Sequence, residues 1–236
     1  MSFNIASKFL KHFKGFCYPP EIIMLFVYMK CRFSLSYRDL EEMAVIRGAR
    51  IDHATLHRWV IKFVKLIEMQ VKKYKKPVGS SWRMDETYIK VNGVWVYLYR
   101  AVDSLGNTVD FLLRKNRDKA AAKAFFRKAF RNNGTPEKVN IDKSGSNKSA
   151  LDSMNTELTD NAKIVIRQQK YLNNIVEQDH RFIKKRTKPT LGFKGFNSAR
   201  ITITGIENIR IIQKGQIVGS NDKVSTFENF KMLMAA

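Results

Sequence analysis

The stretch Tyr74-Lys-Lys-Pro-Val-Gly-Ser-Ser81 marks a change of period that no single regular element can span. Before it, apolar side chains recur at helical spacing; after it, aromatic and β-branched residues take over in short runs, the pattern of strands. Pro77 and Gly79 break the chain at the change. The 236 residues thus divide into a helical front (1–76), a linker (77–81), a strand-rich body with helices after it (82–215) and a tail (216–236). A chain of this length can bury a core as one large domain or as a small domain joined to a medium one.

In the front, Ser36 is placed to cap a helix whose apolar positions are Leu40, Met43, Ala44 and Ile46, and Gly48 ends it. Asp52 caps a second helix running to about Lys73, with Leu56, Val60, Phe63 and Val64 on its apolar side and Trp59 beside them. Two helices around a glycine-containing turn read as a helix-turn-helix. The second would present His53, Thr55, His57, Arg58 and Lys62, side chains able to meet base edges or phosphates in a major groove. An ordinary helical hairpin shares the same pattern.

The body opens with a strand from Trp82 to Val91, and Asn92-Gly93 then signals a tight hairpin turn. Val94–Val102 and Thr108–Leu113 continue as strands. Asp118–Phe130 reads as a helix, Lys138–Asp142 as a strand, Asn147–Leu158 as a helix and Ala162–Arg167 as a strand, with a helix from Asn173. Three antiparallel strands followed by two strands reached through helical crossovers give a mixed sheet of five, covered by helices. That is the ribonuclease-H-like order, an α/β body behind an all-α front.

Lys and Arg number 43 against 21 Asp and Glu, a formal charge of +22. A surface so positive calls for a polyanion: DNA, RNA or an acidic membrane. The longest apolar run, Ile22–Met29, is too short to cross a bilayer. Cys17 and Cys31 form no framework and suit a reducing cytoplasm and the core. No GxxxxGK[ST] loop is present, and His53 with His57 lacks the glutamate of a zinc helix. Glu177-x-x-His180 is half of a di-iron ligand set with no second copy.

On this basic chain Asp85 falls inside the first strand, where an unpaired charge is costly, Asp142 ends the fourth, and Glu177 opens the last helix. With the first and fourth strands adjacent, the three carboxylates could meet at one sheet edge. Their repulsion would be relieved by divalent cations with a preference for hard oxygen ligands, and two such ions about 4 Å apart suit a phosphoryl transfer. Asp103, Asp110, Asp152 and Asp179 are rivals for the same role.

The segment Trp82-Arg-Met-Asp-Glu-Thr-Tyr-Ile-Lys-Val-Asn-Gly-Val-Trp-Val-Tyr-Leu-Tyr-Arg-Ala-Val-Asp103 resembles the opening of the catalytic core in DDE transposases of bacterial insertion sequences, specifically insertion-sequence family six. So do Ile141-Asp-Lys143, Gln169 through His180, Thr190 through Lys194, Ser36 through Leu40 and Asp52 through Trp59. Between Asp142 and Glu177 lie 34 residues, the spacing of that family, while the loop Lys143–Lys148 departs from its usual sequence. The resemblance implies that Asp85, Asp142 and Glu177 are catalytic and hold two Mg²⁺ or Mn²⁺ ions. It implies that Lys184, seven residues past Glu177 and so on the same helix face, holds a DNA phosphate. Arg181 and Lys185 lie in the same run, Arg181 to Arg200, which carries seven basic residues and no acid.

The implied reaction cuts one strand at each end of a mobile element, after which the freed 3′-hydroxyl attacks target DNA. No protein nucleophile is required. The implied partners are the terminal inverted repeats, target DNA and a second copy of the chain, in the bacterial cytoplasm. The opposing readings are a non-catalytic DNA-binding regulator or decayed element using only the front, and a ribonuclease-H-like nuclease that cuts without joining.

Overall fold

The computed structural model describes every residue except Met1, Ser2, Ser144 and Leu191, and the backbone alone at Thr190. Ser144 of the loop after Asp142 and Leu191 of the Thr190–Lys194 motif therefore lie outside the described residues. The helices in chain order are α1 (Ser7–Leu10), α2 (Pro20–Arg32), α3 (Tyr37–Ile46), α4 (His53–Tyr74), α5 (Lys119–Asn133), α6 (Gly145–Asn155), α7 (Asn174–Thr187), α8 (Phe196–Gln213) and α9 (Thr226–Ala235). The strands are β1 (Ser81–Val91), β2 (Val94–Asp103), β3 (Thr108–Arg114), β4 (Lys138–Asn140) and β5 (Val165–Arg167).

The chain forms two compact units, Met1–Lys76 with Lys185–Ala236, and Pro77–Lys184. In the helical unit Ser36 Oγ accepts from the Asp39 N–H at 3.0 Å while the Asp39 carboxylate accepts from the Ser36 N–H at 2.6 Å, a reciprocal cap that starts α3. Gly48, at φ +74°, turns the chain out of it. Asp52 starts α4 by accepting from the N–H groups of Ala54 and Thr55. Leu56, Trp59, Val60, Phe63, Val64 and Ile67 of α4 are buried at helical spacing, the stripe that packs this unit.

Three sequence expectations change in this unit. Of the four apolar positions assigned to α3 only Leu40 and Ala44 are buried, while Met43 and Ile46 are exposed. Cys17 is exposed and only Cys31 is buried. The helices after Lys184 and the tail belong here rather than with the strand-rich body: α9 buries Phe230, Leu233 and Met234 in the same core as α2 and α4. Tyr74 and Lys76 also pair through backbone hydrogen bonds with Val218 and Gln216. Gly205 explains how α8 fits, since a Cβ there would stand 2.4 Å from Cys31 Sγ and 3.0 Å from Val64 Cγ2. A glycine inside a helix costs about 1 kcal/mol against alanine, so close approach of the backbones is what it secures.

The second unit is built on a five-stranded sheet in the order β3-β2-β1-β4-β5. β1 pairs antiparallel with β2 and parallel with β4; β2–β3 is antiparallel and β4–β5 parallel. Asn92 at φ 49° and Gly93 at φ 78° make the tight β1–β2 turn, both residues in the left-handed region that such a turn needs. Trp82, Met84, Tyr99 and Ala101 pack against Phe125 and Phe126 of α5. The architecture is the ribonuclease-H-like one expected. The last two strands are shorter than expected, and β4 stops at Asn140, so Asp142 lies beyond its end rather than in it.

Candidate active site

β1 continues to Val91 after its last rung with β4, Arg83 opposite Asn140. The early end of β4 frees the chain to turn, and Asp142 comes back against the middle of β1. One carboxylate oxygen from each of Asp85, Glu86 and Asp142 lies within 4.8 Å of the others. Burial pushes Asp85 up to about 7, and the negative charges of Glu86, Asp142 and Glu177 push the same way. Burial likewise raises Glu86, against the opposing pull of Arg117. Arg117 Nε donates to Glu86 Oε1 at 3.2 Å and its Nη2 to Asp142 Oδ2 at 2.8 Å. Asn147 Nδ2 donates to the same two carboxylates, at 3.2 Å each.

These residues fit a divalent cation. Every donor is a hard oxygen, the oxygens converge, and the burial and like charge that resist ionisation of Asp85 are the penalty a cation offsets.

The start of α7 is tied to the end of β4. Asn140 donates to Asn173 Oδ1 at 2.7 Å and to the Gln169 carbonyl at 3.0 Å, and accepts from the Gln169 N–H at 3.1 Å. Farther along α7 the buried pair Arg100–Asp179, at 2.7 Å, pins the helix to β2. Glu177 lies in the first turn, exposed, near enough for its charge to act on Asp85 but outside the convergent three. Burial drives His180 down to about 3, with Arg100 and Lys184 adding to the effect. Its Nδ1 stands 3.7 Å from Asp85 Oδ2, and a neutral imidazole at that distance forms no ion pair. Arg181, Lys184 and Lys185 are all exposed on α7.

The rival acids have other work. Asp103 accepts from the N–H groups of Gly79, Leu105 and Asn107. Asp110 binds Lys128 and Asn132, Asp179 binds Arg100, and Asp152 is exposed on α6.

Among the candidate DNA contacts in the front, His53, Arg58 and Lys62 are exposed at the start of α4 while Thr55 and His57 are half-buried. Thr55 Oγ1 donates to Asp52 and accepts from Arg58 Nη2, each at 2.6 Å, so Arg58 is steered by the helix cap. His53 Nδ1 is 3.0 Å from Glu41, His57 packs edge-on against Tyr37, and Lys62 lies over the Phe16 ring.

Glu86, Arg117 and Asn147 were not foreseen from sequence. Glu86 had a signal, since it directly follows Asp85. Arg117 and Asn147 had none, because loop and helix bring them in from distant positions. Among the described residues no helix is long and apolar enough to cross a membrane.

Residues 79–216 match the DDE domain family. Over 214 residues, 87% of this chain and 90% of the other, the sequence is 37% identical to the transposase for insertion sequence-like element IS431mec of Staphylococcus aureus. The same identity and coverage hold for the transposase of insertion sequence element IS257 in transposon Tn4003, also from Staphylococcus aureus. Among solved structures, the catalytic core domain of BIV integrase overlaps 64% of this chain and 92% of its own, at 12% identity and a TM-score of 0.43. The HTLV-2 integrase catalytic core domain overlaps 57% and 88%, at 17% identity and a TM-score of 0.43.

Proposed function

The chain belongs to the DDE transposases of insertion sequences, family six, and from that premise we propose that Asp85, Asp142 and Glu177 are its catalytic carboxylates, set to hold two Mg²⁺ or Mn²⁺ ions. The observation that carries this reading is the convergence of Asp85 and Asp142, together with Glu86, on a chain of charge +22. Divalent cations supply Lewis-acid chemistry to a phosphoryl transfer. The chain's own groups do the rest. Asp85 feels the charges of Glu86, Asp142 and Glu177. Glu86 adds a further oxygen, and Arg117 balances two of the acids until a cation arrives.

Neutral His180 walls Asp85 on the side of α7 without adding charge. Lys184, with Arg181 and Lys185, offers ammonium and guanidinium groups to the phosphates of the strand being cut or joined. The helix-turn-helix of residues 1–76 recognises the terminal inverted repeats through Arg58, His53 and Lys62, with Thr55 and His57 shaping that surface. Two ends must be held at once, so the working form is a dimer or larger assembly, acting on DNA in the bacterial cytoplasm.

The test is a joining assay with purified protein, a pre-cleaved inverted-repeat end and a supercoiled plasmid. Joined product with Mg²⁺ and none with EDTA supports the reading. Nicking of the plasmid without any joining would favour the plain nuclease.

A further inference from the structure

Beyond the carboxylates, β1 and β2 carry a feature that cutting and joining leave unused. Burial alternates along the hairpin: Ile89, Val91, Val96 and Leu98 are buried, while Tyr88 and Trp95 on the opposite face are 50% and 57% exposed. Tyr88 sits across from Tyr97, and Lys90 across from Trp95. The ring centroids of Tyr88 and Tyr97 are 5.4 Å apart and those of Tyr88 and Trp95 6.4 Å. Lys90 Nζ lies 5.9 Å from the Trp95 ring, and Arg114, exposed, is the β3 partner of Tyr97.

Side chains two apart on a strand share a face, so Glu86, Tyr88 and Lys90 form one row that begins at Glu86, whose carboxylate converges with those of Asp85 and Asp142. At about 3.3 Å per residue the Lys90–Trp95 rung stands about 13 Å from Glu86, a few nucleotides of reach. A contiguous exposed apolar patch rimmed by charged side chains marks a surface that meets a partner. A second copy of the chain is a poor fit: two half-exposed rings and the partly buried Tyr97 offer roughly 200–300 Å², against about 800 Å² per partner in a stable interface. Aromatic rings interleaved with cations are the elements that hold single-stranded nucleic acid, where each base stacks on a ring and the backbone meets the positive charge.

We propose that Tyr88, Trp95 and Tyr97, flanked by Lys90 and Arg114, form a stacking strip for unpaired nucleobases of the DNA strand beside the scissile phosphate. The inference rests on the carboxylate site being where DNA is cut and joined. It adds a preference for ends whose terminal bases are frayed or single-stranded.

The test avoids catalysis. Full-length protein in EDTA is titrated with inverted-repeat duplexes that are either blunt or carry a short unpaired flank. Trp59 and Trp82 are buried at 2% and 1% exposure, so quenching of tryptophan emission reports Trp95. The expected result is quenching and tighter binding with the unpaired flank. Trp95→Ala should lose about ten-fold of that affinity while Trp95→Phe keeps most of it, as one base stack requires. Tyr88→Ala, with Trp95 intact, should give a similar loss at an unchanged melting temperature.

Equal binding of blunt and flanked ends by the unmodified protein would overturn the proposal. So would Trp95→Ala binding both ends normally but sedimenting as a smaller species, which would make the strip a contact between copies. A protein that prefers the flank yet never joins DNA in Mg²⁺ would keep the strip and sink the catalytic reading.

Discussion

Arg117 Nη2 donates to Asp142 Oδ2 at 2.8 Å, placing a guanidinium against an acid proposed to hold metal. The same side chain bonds Glu86, and the two acids together hold Arg117 in its charged form despite the cost of burial. An incoming cation must compete with it for these oxygens.

Arg117→Gln should therefore tighten Mg²⁺ binding several-fold in calorimetric titration of the DNA-free protein. Weaker binding would mean instead that Arg117 holds the carboxylates in position.

Arg58 is steered by Thr55, which is itself held by the cap residue Asp52. Arg58→Ala should reduce the preference for end DNA over random DNA in gel shifts by about ten-fold, the scale of one good base contact. Asp52→Ala should give part of the same loss by releasing the arginine. The full chain is the right material, because α9 completes the core in which α4 sits. An unchanged preference in Arg58→Ala would remove this residue from recognition.

The sheet was legible in sequence because its signals are local: alternation, an Asn-Gly turn and helices with capping aspartates. Asp85, Asp142 and the first turn of α7 came from the topology those signals imply. The grouping of residues 185–236 with the front was not legible, since an amphipathic helix such as α9 does not say which core it joins. Arg117 and Asn147 reach the site only through tertiary folding. Glu86 shows a further limit, because strict strand alternation turns adjacent residues to opposite faces, yet both carboxylates converge near Asp142.

Lys184 is exposed on α7, two turns past Glu177. As a phosphate contact it contributes about 0.9 to the slope of log affinity against log salt. Lys184→Ala should lower that slope by about this amount for a pre-nicked end and leave the Mg²⁺ requirement unchanged. Lys184→Arg should keep part of the activity, since the charge survives. An unchanged slope with a raised Mg²⁺ requirement would assign Lys184 to the carboxylates.

Asp103 is 1% exposed, and burial by itself would raise its pKa. The N–H donors of Gly79, Asn107 and Leu105 outweigh that and hold it below the ordinary carboxylate range. A folded-state pKa below the unfolded one gives stability that is present at neutral pH and lost as pH falls through the folded value. Asp103→Asn should lower stability at pH 7 by about 1–3 kcal/mol and flatten the loss on acidification below about pH 4. Parallel acid profiles for the two proteins, measured by urea unfolding, would contradict this.

The central claim is that Asp85, Asp142 and Glu177 perform the chemistry while the front binds the ends. Its most direct test is Asp85→Ala, Asp142→Ala and Glu177→Ala, each assayed in parallel for end binding by gel shift and for joining of a pre-cleaved end in Mg²⁺. The expected result is end binding within about three-fold of the unmodified protein and no detectable joined product from any of the three. Substantial joining by any one variant would contradict the assignment of that residue and break the carboxylate set.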